Sequence, residues 1–191
     1  MPVHSIAIKR KKVKHYNIPN HAHELTFSCY HNDEYLLDPV ACGIFMEELE
    51  DARKEFGFRI WAYVLMPEHV HLLIYPTKQK YNISKILKSV KGTMSTRYRN
   101  YLKEVDREKF KNFLVQTRKG KVFRFWQPGG GYDRNLWSDG VIHSAIEYIE
   151  ANPLRKEWVD SPDEWIWSSA YAKVQGIGVI PETGDIPMLD K

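Results

Sequence analysis

His69-Val70-His71 is the first place where residue type and spacing could do chemistry. On a strand, residues i and i+2 point to one face, so two imidazoles would project side by side. Neutral imidazole is a common metal ligand, and two on one face can share an ion. Spacing alone leaves two readings open: a ligand pair, or hydrogen-bonded structural histidines. No cysteine lies nearby and no HExxH occurs, which argues against a structural zinc site of ordinary type. Tyr148 and Asn152 form a second pair, four residues apart and so on one face of a helix. A tyrosine hydroxyl can be a covalent nucleophile if its proton is removed and its target is polarised. A neighbouring divalent cation meets the second requirement. Asn152 offers an amide oxygen suited to a hard cation such as Mg²⁺. The competing reading is a half-buried core tyrosine, since Ile146 and Ile149 flank Tyr148 and the chain holds eleven tyrosines.

Charge supplies a third feature. Residues 78–124 carry fifteen Lys and Arg against Glu104, Asp106 and Glu108, a net of +12. Residues 1–20 add +5 with no acid, and the remainder carries −13. A block this basic in a chain of net +4 points to a polyanionic partner. Lys85, Lys88, Lys91, Arg97 and Arg99 are its candidates to neutralise phosphates. Tyr81, Tyr98, Tyr101, Phe110 and Phe113 interleave with them and could stack on unpaired bases. For Tyr98 and Tyr101, helical spacing favours the core.

These side chains need elements to position them. Residues 22–30 read as a strand, rich in Thr, Phe and Tyr. A helix follows from Asp38-Pro39, a cap and a first-turn proline, and ends at Gly57. Residues 58–66 and 69–75 read as two strands broken at Pro67-Glu68, an antiparallel hairpin carrying the histidines. Ile83 to Leu102 reads as a basic amphipathic helix, followed by a polar stretch to Gly120. Residues 121–127 look like the next strand, and Gly129-Gly130-Gly131 a turn. Ser138 to Ala151 reads as a helix stopped by Asn152-Pro153. The order predicts an α+β, ferredoxin-like split βαβ fold, an antiparallel sheet with helices on one face. A tail holding Trp165, Trp167 and Tyr171 should pack on it in part, before a looser end rich in Gly and Pro.

At 191 residues and 43% hydrophobic, the chain suits one globular domain. Two cysteines cannot build a disulfide framework, so a reducing, cytoplasmic home is expected. No apolar run follows the basic start and none approaches a bilayer's thickness, so neither a signal peptide nor a membrane role is expected.

WAYVLMPEHVHLLI (61–74) resembles the strand–loop–strand of the single-tyrosine HUH transposases, with histidine–hydrophobic–histidine after a Met-Pro step. Residues 132–170 resemble the C-terminal half of the REP-associated tyrosine transposases, with YIEANP at their core and Trp-Ser-Ser near the end. HELTFSCYHNDEYLL (23–37) is similar to that family's first strand. The resemblance implies a transposase domain over 22–155, a basic arm over 1–21 and a tail over 156–191. It implies that His69, His71 and Asn152 hold one divalent metal, Mg²⁺ or Mn²⁺. Tyr148 would attack a scissile phosphate, leaving a 5′-phosphotyrosine and a free 3′-hydroxyl. The partner would be single-stranded or hairpin DNA, and the protein a monomer or homodimer. Arg134 departs from the pattern, which often has His after the Asp, and puts a catalytic role for that loop in doubt. Two rivals stand beside this. One is a domesticated hairpin-binding protein that no longer cuts. The other is a replication-initiator or relaxase-type HUH nuclease, usually larger and sometimes with two tyrosines, where this helix has only Tyr148.

Overall fold

The computed structural model describes residues 14–182, together with 184 and 186. The basic cluster Lys9 to Lys12 and residues 187–191 of the Gly- and Pro-rich end lie outside the described residues. In chain order the elements are β1 (Ala22–Ser28), α1 (Pro39–Phe56), β2 (Phe58–Leu65), β3 (His69–Pro76), α2 (Ile83–Val105), α3 (Arg107–Asn112), β4 (Leu114–Thr117), β5 (Gly120–Phe123), β6 (Tyr132–Leu136), α4 (Asp139–Glu150), α5 (Asn152–Arg155) and α6 (Ser169–Gln175). Local chemistry accounts for several boundaries. The Asp38 carboxylate accepts from Val40 N at 2.8 Å, Pro39 occupies the first turn, and Gly57 closes α1 at φ 70°. Asn82 caps α2 by accepting from Lys85 N at 3.0 Å.

The central sheet runs β2-β3-β1-β6, antiparallel throughout, which is the ferredoxin-like strand order. β4 and β5 form a separate hairpin. Alternation along each strand sends side chains to two cores. Leu25, Phe27, Val70, Leu72 and Ile74 join the α1 and α2 side, with Phe45, Leu49, Ile86, Val90 and Met94. Ala22, Leu73, Ala62, Val64 and Leu136 join the other side, with Ile142, Ala145, Ile146 and Ile149 of α4. A bulge at Trp61 puts it and Ala62 on this second face, where Trp61 stacks on Tyr75.

Two expectations change. The helices do not share one face, because α4 packs on the side opposite α1 and α2. The fourth strand of the sheet is β6, not residues 121–127. That segment begins in β5, and its apolar residues Phe125 and Trp126 are buried in the core beside Tyr30 and Phe27. The polar stretch before Gly120 holds α3 and β4. The Trp165 indole donates to Leu65 O at 2.8 Å, and Trp167 packs on the larger core. Among the described residues no helix is long and apolar enough to cross a membrane.

Candidate active site

The turn between β2 and β3 is closed by Met66 N donating to His69 O at 2.8 Å. It delivers His69 and His71 onto the α4 face of the sheet, as their two-residue spacing requires. Their Nε2 atoms converge to 2.9 Å, and the rings meet edge to face. Each far nitrogen is held: His71 Nδ1 lies 2.8 Å from Thr26 Oγ1, and His69 Nδ1 lies 2.9 Å from Glu68 Oε1. A carboxylate accepts only, and a hydroxyl can accept, so these partners favour Nδ1–H on both rings. Both Nε2 lone pairs then face the same point, the tautomer a shared metal needs. Nitrogens bound to one ion at about 2.1 Å can sit about 3 Å apart, so the pair fits a divalent cation. His71 is 7% exposed, and burial, with the neighbouring His69, pushes its pKa down to about 4. It is therefore neutral at ordinary pH, the form in which an imidazole can bind a cation.

α4 has two faces. Ile142, Ala145, Ile146 and Ile149 are buried against the sheet. Val141, Ser144 and Tyr148 line a cleft of about 550 Å³ with Ala145, Glu24, Thr26, His71, Tyr132 and Arg134. Tyr148 is 41% exposed, so the core-tyrosine reading does not describe it. Its ring stands edge-on to His71, with centroids 5.7 Å apart, and the Arg155 guanidinium lies 4.8 Å from its centre. Asn152, 4% exposed, opens α5, and its amide nitrogen is 3.5 Å from Tyr148 O. α4 thus brings Tyr148 to His71, and Asn152 follows one turn on at the start of α5. Among the described residues no three His, Cys, Asp or Glu cluster as a metal site. Asn152 is of none of these four types, and its amide oxygen could serve a hard cation.

β6 supplies the other wall of the cleft. Tyr132 and Arg134 face the cleft opposite Thr26 and Glu24 of β1, and Arg134 Nε lies 2.8 Å from Glu24 Oε2. Asp133 points the other way, where it pairs with His23 and His15. His23 in turn meets Tyr81, which donates to Ile18 O at 2.6 Å. Asp133 therefore pins residues 15–18 to the fold and does not enter the cleft. Thr26 and Glu24 went unnoticed because their partners lie 45 and 110 residues along the chain, and Arg155 because it lies beyond the Asn-Pro step where the helical pattern stops. Only Glu68, adjacent to His69, could have been found from sequence.

The five basic candidates lie on α2, behind the sheet from the cleft. Lys85 and Lys88 are exposed. Lys91 is not a free surface cation: its ammonium donates to Gly129 O at 3.0 Å and lies over the Phe27 and Trp126 rings. Arg97 is committed to α1, through Glu48 at 2.8 Å and Glu47 at 2.6 Å. Arg99 lines a groove with Lys103, Lys121 and Thr96. The interleaved aromatics are largely engaged. Tyr98 and Phe113 are buried, Tyr101 and Phe110 pack on the core, and Tyr81 is hydrogen-bonded. They are core side chains, not stacking platforms.

The chain superposes on the structure of a REP-associated tyrosine transposase bound to a REP hairpin, with TM-score 0.68, 17% identity, and 95% of this chain and 96% of that one covered. A protein of Deinococcus radiodurans R1 named as a transposase aligns at TM-score 0.45 and 22% identity over 74% of this chain and 96% of its own. None of the curated proteins matches. The first likeness confirms the fold. The family described as IS200-like transposases matches residues 20–120, from β1 through the histidine hairpin to β5 and short of the tyrosine helix. With more than half its length so matched, the chain belongs to the IS200-like transposase family.

Proposed function

We propose that this protein cuts and rejoins single-stranded DNA beside hairpins, in the cytoplasm, with Tyr148 as nucleophile. The observation that carries the reading is the placement of a half-exposed tyrosine edge-on to one of two convergent imidazoles, in one cleft. Family membership makes transposition the relevant chemistry, and the hairpin bound to the structural neighbour suggests the form of the substrate. His69, His71 and Asn152 would hold Mg²⁺ or Mn²⁺, which supplies Lewis-acid polarisation of the scissile phosphate. Tyr148 Oη loses its proton and bonds to phosphorus, and the bond from phosphorus to the 3′-oxygen breaks. The products are a 5′-phosphotyrosine and, after protonation, a free 3′-hydroxyl. Attack by a 3′-hydroxyl on the phosphotyrosine reverses the exchange and needs no nucleotide cofactor, because one phosphodiester replaces another. Arg155 lies over the Tyr148 ring and adds positive charge next to the nucleophile.

The test is to mix the protein with labelled oligonucleotides copied from the flanks of its gene, hairpins included, and Mn²⁺. A covalent adduct is expected with the unaltered protein and none with Tyr148→Phe. The hydroxyl of an exposed tyrosine contributes at most about 1 kcal/mol, so melting of the variant should barely move. A normal adduct in the Phe variant would remove Tyr148 as nucleophile. Binding without any adduct in the unaltered protein would establish the non-catalytic hairpin binder instead.

A further inference from the structure

We propose that Arg134 grips a backbone phosphate of the DNA strand lying in the cleft, and that Glu24 is the positioning residue that aims it. The inference rests on the cleft being the site of strand cleavage. β1 and β6 pair so that Glu24 faces Arg134 and Thr26 faces Tyr132 on the cleft side. One wall of the cleft is thus a row of cross-strand pairs, with α4 and Tyr148 opposite. Arg134 Nε and Nη2 both reach a single oxygen, Glu24 Oε2, at 2.8 and 2.7 Å. Nη1 is left over, with no partner among the described residues. The Glu24 side chain is 10% exposed and that of Arg134 48%, so the acid lies beneath and the cation faces solvent.

A half-exposed ion pair contributes little to stability, so stability does not account for it well. A held guanidinium does account for recognition. It gives a planar set of donors with little rotamer entropy left to lose, the geometry that suits a phosphate. Thr26, two residues from Glu24 on the same strand face, holds His71. One strand therefore orients both the histidine and, through Glu24, the arginine. Tyr132, half-exposed on the same face of β6, offers a ring to a neighbouring base. The residue that departs from the family pattern thereby acquires a role: substrate positioning, not proton transfer.

The experiment measures adduct formation against DNA concentration, and binding in parallel, on the flank-derived oligonucleotides. Arg134→Gln should raise the half-saturating DNA concentration on the order of 10- to 100-fold, with little change in rate at saturation. It should also lower the slope of log affinity against log salt by about 0.7, one phosphate on a single strand. Arg134→Lys should restore the salt slope but only part of the affinity. Glu24→Ala should weaken binding, Glu24→Gln should largely rescue it, and Glu24→Ala should add nothing to Arg134→Gln. Oligonucleotides with one neutral methylphosphonate at a time locate the phosphate that Arg134 holds. One position should weaken the unaltered protein and have no effect on Arg134→Gln. If Arg134→Gln leaves an unpaired acid and melts early, the Glu24→Gln, Arg134→Gln double variant gives the same readout. Full additivity at every methylphosphonate position would overturn the proposal. Failure of the unaltered protein to form an adduct sinks the cleavage reading alone, because the binding arm still reports on the grip of Arg134 on the phosphate.

Discussion

Two imidazole nitrogens 2.9 Å apart act as a ligand pair only if both lone pairs aim at one spot. Nothing in His-Val-His secures that. It is secured by what holds the other nitrogens, the Thr26 hydroxyl on His71 and the Glu68 carboxylate on His69. Outer partners of this kind set tautomer and ring orientation, and their loss typically costs 10- to 100-fold in metal affinity. Thr26→Val keeps the size and the strand propensity and removes the acceptor. We expect the Mn²⁺ concentration that half-saturates adduct formation to rise by about 10- to 100-fold, with Tyr148 chemistry intact once Mn²⁺ is saturating. An unchanged Mn²⁺ titration would show that His71 is oriented by its burial alone. The same scale decides Tyr148. Its neighbours Ile146 and Ile149 are core residues, but on a helix residues 146, 148 and 149 point in different directions, and 148 falls with 141 and 144 on the cleft face.

At the scale of elements, helix and strand periodicity located most of the frame. α1, α2, α4 and the histidine hairpin lie where the apolar spacing predicts, because each has one continuous buried stripe or face. β6 reads Tyr-Asp-Arg-Asn-Leu, with neither strand propensity nor an apolar alternation, and becomes a strand only by pairing with β1. KVFRFWQ has both signals, yet only its first residues are in a strand, since its aromatics serve the core. α2 shows a second limit of pattern reading. Charge gives no hint of which lysines are free, and Lys91 is the one drawn in over Phe27 and Trp126. Burial pushes its pKa from 10.5 down to about 8. Between those values the unfolded chain binds the proton that the folded chain has released, so stability from this position rises with pH there, and below pH 8 the penalty is constant. Against Lys91→Met, which keeps an apolar stem, the unaltered protein should gain stability from about pH 8 to 10.5 in denaturant titrations. A flat difference would mean that the ammonium is not desolvated.

On the proposed function, the sheet of the whole molecule separates two tasks. The histidines and Tyr148 lie on the α4 side, while Lys85 and Lys88 lie on α2 behind it. Side chains that only hold DNA and side chains that meet the scissile phosphate should therefore separate in kinetics. Replacing Lys85 and Lys88 together with Ala should weaken binding and shrink its salt slope by about 0.7–0.9 for each phosphate no longer neutralised. Cleavage at saturating DNA should proceed at the unaltered rate. A slower saturated rate would place these lysines near the chemistry and contradict the separation. The sequence by itself determined what is local: the strands and helices with strong periodicity, the shared face of His69 and His71, and the one-turn spacing of Tyr148 and Asn152. It also held a sign that both faces of the sheet are covered, since FRIWAYVL is apolar nearly throughout and only a strand buried on both sides needs that. Tertiary structure alone decided which strand closes the sheet, that Thr26 stands against His71 from 45 residues away, and that Glu24 meets Arg134 across 110. Those pairings depend on strand register, and register is set by how whole faces pack together, which no short window of sequence contains.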